Sequence, residues 1–508
     1  MRKASLAFQW KRFRGFLGEL RKSKRSVLGL AILIFYVGFG IAAPLLTPYD
    51  PLNSEFLAGE QAHPLWWRSL PGGSALSENQ LLLDHPGFTT PSSFDSQGWN
   101  ASSNPAQSFA ISYNATESIH FRTISAQYPG SEEVVYSRAA SDPIPPSPGG
   151  NITISKSFVW PYTGPPKRFA GFLQLALDDL RGVGSIDVQA FIAREGTPLK
   201  IWETSLTQSS LGNPLIPTFA LDSYGAEIKG IFGPTVDPAN FIFLDKGTYT
   251  FGIQIVIPDQ NQSANVSVKL FLNGLNLRLY GTSWGLLGTD QYGRDIFTQL
   301  AWGTRISLIV GLVASALAVA VGLVVGLIAG YLGKVVDEIL MRSTDLLLVL
   351  PGLPLLIVLA ALLGASIWNV IGVLGLLGWP GFARIIRSQV LSLKERAFIE
   401  ASKAAGSGVS HIITKHVIPN VMGLTYVSLA TAVPTAIVSE SALAFLGLWD
   451  PTVISWGRML FDVETNGAIK SWWWVLPPGL SIALLSMSFV LLGYALDEIL
   501  NPRLRMRR

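Results

Sequence analysis

Two hydrophobic patterns alternate along this chain. Val27–Leu46 is an uncharged apolar run of about 20 residues, long enough to cross a bilayer as a helix. Further apolar blocks cover 306–332, 346–383, 417–447 and 471–496. At about 1.5 Å per residue the block 346–383 exceeds one crossing. Gly364-Ala-Ser-Ile-Trp-Asn369 therefore predicts a hairpin that splits it, and six transmembrane helices result. Tyr331–Glu338 reads as a short turn, and Met341-Arg-Ser-Thr-Asp345 as the start of the third helix. Residues 50–283 follow the other pattern, with period two. Tyr249, Phe251, Ile253, Ile255 and Ile257 share one strand face, as do Val266, Val268, Leu270 and Leu272. Leu275, Leu277 and Leu279 form another such run, and Ile186, Val188, Ala190 and Ile192 a fourth. Gly, Pro, Ser and Asn separate the runs, which predicts an all-β, sandwich-like domain with a looser front half and an internal linker at Asp142–Gly150. The predicted organisation is 1–49 (N-terminal segment and first helix), 50–283 (β-rich domain) and 284–508 (five further helices).

Charge orients these blocks. Residues 1–26 hold nine Lys and Arg against one acidic residue, and the last six residues hold four Arg. Residues 50–289 carry 13 basic and 20 acidic side chains, a net of −7. This asymmetry is the positive-inside pattern rather than a nucleic-acid footprint, and it predicts both termini inside with 50–283 outside the cell. Met1–Arg25, basic with Trp10, Phe13 and Phe16 interleaved, suits an interfacial helix, and the run after it has no small-x-small cleavage site, so it reads as a retained span. A mean hydropathy of +0.37 with 14% charged residues excludes an ordinary soluble enzyme.

The chemical inventory is sparse. With no Cys and five dispersed His, no metal site, disulfide or thiolate nucleophile is predicted. The nearest look-alike of a phosphate loop, Gly330-Tyr-Leu-Gly-Lys334, has the wrong spacing and lacks the hydroxyl residue. No cofactor is expected, no catalytic constellation is visible, and any ATP would be hydrolysed by another chain. Glu440, deep in an apolar block, reads equally as a functional carboxylate or as a helix-end group that caps or meets water. Trp472-Trp473-Trp474 reads as an interfacial belt, with sugar stacking as the rival. The chain's five Asn-x-Ser/Thr sequons, at Asn100, Asn114, Asn151, Asn261 and Asn265, all fall in the β-rich segment and mark glycosylation candidates.

The segment 395–419 is the most informative. Glu395–Ala405 is a good helix former and Gly406 stops it, while Ala401, Ala404 and Ala405 leave little bulk between the helix and any approaching surface. Taken alone, it reads equally as a loop helix lying on the membrane. However, Glu400-Ala401-Ser402, three residues, Gly406, nine residues and His416-Val417-Ile418-Pro419 resemble the EAA loop of ABC-importer permeases. Ser402 stands where the pattern has Ala, and His416 where it generally has Ile. Gly288-Thr289-Asp290-Gln-Tyr-Gly293-Arg294-Asp295, by itself a Gly-punctuated loop with an Asp290/Arg294 pair, resembles the outer-face box of the dipeptide, oligopeptide and nickel branch. Phe445-Leu-Gly-Leu448 and Ser455-Trp-Gly457 complete the likeness.

The resemblance covers about 1–50 and 284–508 and implies a C-type permease subunit in the cell membrane. It implies a second, homologous permease subunit, two cytoplasmic ATPase subunits and an extracellular solute-binding protein, with no nucleic acid. In the family the EAA helix docks on an ATPase, so Glu400, Ala401, Ser402, Ala404, Ala405 and Gly406 are the coupling candidates. Ile296–Trp302 would then be a separate amphipathic helix on the outer surface. Di- or oligopeptides are the implied cargo, oligosaccharides an alternative, and a membrane-anchored surface glycoprotein the remote reading. The large segment 50–283 departs from the family pattern, in which the first outer loop is short.

Overall fold

The computed structural model describes residues 23–82, 98–104, 109–114, 131–138, 150–211, 221–258, 265–364 and 366–500. The predicted basic N-terminal helix up to residue 22, most of the linker 142–150, Asn261 and the Arg-rich tail lie outside these. Contacts divide the chain into a unit of Met1–Ser54 with Asp295–Arg508 and a unit of Glu55–Arg294. Helix α1 (Lys24–Leu46) opens the first.

The inserted unit is built on two antiparallel sheets. In one, β10 (Val266–Tyr280) pairs along its length with β6 (Arg168–Arg181), over its first half with β4 (Ser131–Arg138), and near its end with β1 (Gln80–Leu81), while β3 (Phe109–Asn114) borders β4. The other runs β2 (Asn100–Asn104), β5 (Gly150–Trp160), β9 (Gly247–Ile257), β7 (Ser185–Arg194), β8 (Thr197–Thr207). The alternation read from sequence places Tyr249, Phe251, Ile253, Ile255 and Ile257 inside, and likewise Ile186 to Ile192. In β10 the two predicted runs are one strand. Its apolar positions switch from even to odd numbers, and a register shift against β6 between Asn273 and Asn276 accommodates the switch, as a bulge does. Side chains of both sheets form one core with α2 (Ala226–Phe232) and α3 (Pro238–Ile242). Trp160 and Trp202 belong to that core, their indole N–H groups satisfied by Gly164 O and Glu227. Arg168 and Asp222 form a buried ion pair, with Nε donating to Oδ1 at 2.8 Å and the guanidinium lying 4.4 Å from the Phe56 ring centroid.

The helical unit continues with α4 (Ile296–Leu332), α5 (Lys334–Val349), α6 (Gly352–Leu363), α7 (Ile367–Lys394), α8 (Ala397–Ala404) and α9 (Val409–Ile412). After a π-turn at Ile413–Val417 come α10 (Ile418–Phe445), α11 (Trp456–Thr465) and α12 (Trp472–Leu500). Among the described residues five helices are long and apolar enough to span, and a sixth span results if the bent pair α5/α6 counts as one. Gly322, Gly326 and Gly330 of α4 sit so close to α7 that added Cβ atoms would lie 2.6–3.0 Å from the carbonyls of Trp379, Ala383 and Arg387.

Four expectations need correction. Ile296–Trp302 is no separate surface helix but the first two turns of α4: Asp295 caps it through Thr298 N at 2.8 Å, and Gly303 does not break it because Trp456 packs there. The predicted turn Tyr331–Glu338 ends at Gly333, and α5 begins at Lys334. Met341–Asp345 is therefore mid-helix. The break comes at Leu350-Pro351, where proline forces its predecessor into extended backbone (ψ 137°) and the chain bends by 93°. Trp473 and Trp474 are buried within the helical unit, leaving only Trp472 partly exposed for a belt.

Candidate functional site

The predicted coupling segment is a short helix held by one side chain. Ile399, fully buried, is the inward residue of α8 and joins Ile412, Val417, Tyr331, Ile386, Val390 and Val421 in a single cluster. Ser402 lies three residues on, which puts it on the same face and half-buried. The Ser-for-Ala departure thus points toward the loop rather than outward. Glu400, Ala401, Ala404, Ala405 and Gly406 are all exposed, flanked by Phe398 (44% exposed) and Val409 (49%). The helix stops by a Schellman motif: Gly406 adopts φ +81°, its N–H bonds Lys403 O, and Ser407 N–H bonds Ser402 O at 3.1 Å. An added Cβ at Gly406 would meet nothing within 4 Å, so the glycine is needed for its backbone angle and leaves open space outward. The His416 ring lies 6.1 Å from that of Phe398. The product is a small, mostly apolar knob carrying the Glu400 carboxylate and the Lys403 ammonium, fixed from below and open above.

The helices leading into it are tied together. Arg387 of α7 grips Asp337 of α5 with two bonds of 2.5 and 2.6 Å, and Arg384 pairs with Asp345. Lys394 donates to Tyr331 O at 3.1 Å. Arg342, between Asp337 and Asp345 on α5, is exposed.

The Gly-Thr-Asp box is a closed turn rather than an open site. Asp290, fully buried, accepts from Arg294 Nε at 2.6 Å, Arg294 N at 2.9 Å and Tyr292 N at 2.8 Å. The hydroxyl of Thr289 donates to Gly59 O and accepts from Ala62 N. Gly288 and Gly293 have φ of +74° and +69°, values that favour glycine. Asp295 serves α4 as its cap. The geometry gives these residues structural work.

Glu440 is buried. The Ser441 hydroxyl approaches it at 3.4 Å, and beside it α11 lies so close to α10 that a Cβ on Gly457 would meet the Ser441 backbone at 2.6 Å. A cavity of about 320 Å³ between α4, α6, α7 and α10 is lined by small residues, by Leu356, Leu374 and Leu377, and by Ser315, Thr435 and Ser439. Sequence reading missed these three. Their signal was hydroxyls spaced within apolar helices, which many spans share.

Of the sequons, Asn100 and Asn265 are exposed, Asn151 is half-buried within β5, and Asn114 ends β3.

Two family models match the chain: an N-terminal transmembrane domain of oligopeptide transport permease C at residues 9–64, and a binding-protein-dependent transport system inner membrane component at 322–506. A dipeptide transport system permease protein of Bacillus subtilis is 39% identical over 239 residues, which cover 47% of this chain and 74% of that protein. The oligopeptide transport system permease protein of Escherichia coli is 40% identical over 217 residues, 42% of this chain and 72% of that one. A Brucella suis protein provisionally named a peptide permease is 35% identical over 294 residues, 56% of this chain and 96% of its own length. One solved structure, from work on carbohydrate-binding modules of the β-sandwich superfamily, overlaps 44% of this chain and 63% of its own at 7% identity and a TM-score of 0.20, too low to carry an argument. Neither family model reaches residues 65–321, where most of the inserted unit lies. With its apolar spans and its relatives matched over more than two thirds of their length, this chain belongs to the binding-protein-dependent inner-membrane permeases, on the branch of the C-type peptide permeases of ABC importers.

Proposed function

We propose that the chain forms, with a second homologous permease subunit, the membrane pathway through which di- and oligopeptides enter the cell. Separate ATPase subunits dock on the knob at Glu400–Gly406, and an extracellular solute-binding protein delivers the cargo. Both termini then face the cytoplasm, and the inserted unit stands outside as a platform for the binding protein. The observation that carries the reading is the knob itself: exposed small residues, a carboxylate and a glycine-stopped helix, seated on a core shared with α4, α7 and α10. A push on α8 reaches those helices through Ile399. The peptide cargo rests on the relatives' names alone.

The test is a reconstituted complex of both permeases and the ATPases in proteoliposomes, assayed for uptake of labelled peptides and for ATP hydrolysis. Gly406→Trp places bulk at the open approach, and a non-glycine residue at φ +81° adds backbone strain. Membrane insertion should persist while stimulated hydrolysis and uptake are lost. Stimulation at the unsubstituted level would sink the docking role.

A further inference from the structure

The inserted unit carries a groove on one of its sheets. It lies on the outward face of the sheet containing β5, β9, β7 and β8 and has a volume of about 430 Å³. Strand register places its side chains in rows. Thr153 of β5 stands opposite Gln254 of β9, which stands opposite Gln189 of β7. The next row is Ser155, Gly252 and Phe191. Neighbouring strands are about 4.8 Å apart, so each row spans about 10 Å, and rows two residues apart are separated by about 7 Å.

Gly252, having no side chain, leaves room in the second row that the Phe191 ring takes up. A Cβ there would lie 2.7 Å from the tip of the Phe191 ring, so the ring leans across the place where a side chain would stand. Phe191 is partly exposed, while its strand neighbours Ala190 and Ile192 fill the core on the opposite face. Among the described residues the carboxamides of Gln189 and Gln254 have no hydrogen-bond partner within the protein. Lys200 on the rim pairs with Glu203 at 2.7 Å, and Glu203 stands opposite Gln189 across β7 and β8.

We propose that this groove binds a neutral oligosaccharide. Carboxamides and hydroxyls both donate and accept, which matches the hydroxyls of a sugar. The partly exposed Phe191 ring offers an apolar surface to the C–H face of a pyranose. The lack of an unpaired charge disfavours phosphates and the charged termini of short peptides. The volume falls in the range of small-molecule sites, and the open ends admit a chain. This goes beyond the peptide-import reading and does not depend on it.

The full-length chain in lipid nanodiscs should be titrated calorimetrically with maltohexaose, cellohexaose and xylohexaose, with trialanine and inorganic phosphate as comparators. At least one hexasaccharide should bind saturably and both comparators should not. Phe191→Ala should weaken binding about tenfold, and Phe191→Tyr should retain it. The double substitution Gln189→Ala/Gln254→Ala also removes hydrogen bonds without touching the ring, so it decides the matter if Phe191→Ala fails to fold. Failure of all three sugars to bind, or binding unaffected by both folded variants, overturns the proposal. Uptake of the bound sugar by proteoliposomes holding the complete transporter would identify cargo. Binding without uptake would identify a fixed surface glycan, and either outcome supports the site.

Discussion

Replacing Ile399 by alanine tests how α8, the proposed coupling helix, is held. Ile399 is the sole buried residue of α8, so nearly all of the helix's seating passes through one side chain. Large-to-small changes at such sites cost about 2–5 kcal/mol, from lost transfer energy and the cavity left behind. About 3 kcal/mol shifts the balance between seated and unseated α8 roughly a hundredfold, since about 1.4 kcal/mol corresponds to tenfold. Hydrogen exchange at Ala401–Ser407 in the full chain should therefore accelerate by roughly that factor, because those amides are protected only while the helix is formed and seated. The rest of the helical unit should keep its protection. Phe398→Ala is the matched control: its side chain is exposed, so exchange should stay as it was, although ATPase docking weakens. In reconstituted complexes Ile399→Ala should lower stimulated ATP hydrolysis while leaving chain insertion intact. If exchange at 401–407 is unchanged, Ile399 is not the anchor. If exchange rises but stimulation persists, a seated α8 is not what transmits the motion.

Asp222→Ala strands the buried Arg168 guanidinium, costing about 3–5 kcal/mol; at about 2–4 °C per kcal/mol, melting of the inserted unit should fall by about 6 °C or more in calorimetry. The double change Arg168→Met/Asp222→Leu should recover much of that loss, and equal losses in both variants would refute the stranded-charge account. Burial holds the Glu60 carboxyl above the ordinary carboxylate range, against the pull of Arg168 and Lys167. The folded unit then binds that proton more tightly than the unfolded chain, so stability falls as pH rises from the ordinary carboxylate value through the raised one. Glu60→Gln should remove this decline and raise the melting temperature at neutral pH, whereas an unaltered pH profile would contradict it. In this Cys-free chain, Ser209→Cys should react with an impermeant thiol reagent in intact cells and Ser402→Cys only after permeabilisation. Labelling of both in sealed cells would reject the proposed orientation.

Much of this architecture could be read from residues. Strand β9 was legible because five alternate apolar side chains leave little choice of inward face. The helix ended by Gly406 was legible because a run of good helix formers stops at a residue that tolerates positive φ. Other features depend on partners distant in sequence. Nothing near Gly303 reveals that Trp456 will pack there and let α4 run on. The break at Pro351 was obscured by apolar residues on both sides, which suggested an uninterrupted span. Ser315, Thr435 and Ser439 line one cavity only after four helices converge, and no local spacing relates them. The Ala190/Phe191 irregularity against β8 and the groove beside it arise from cross-strand register, which a single strand's pattern does not contain.

The glycine ladder of α4 limits how this transporter can move. Where backbone lies against backbone, two helices cannot slide, because any shift drives carbonyls into the neighbour's main chain. Gly322, Gly326 and Gly330 therefore join α4 and α7 into a single stiff beam, and α8 hangs from the end of that beam. Flexure must be found elsewhere, and the 93° corner at Leu350-Pro351, where proline interrupts helical bonding, is the weakest joint along the neighbouring segment. A stroke delivered at the knob would tilt the beam as a rigid body and concentrate the change in shape at that corner, next to the cavity that α6 helps to line.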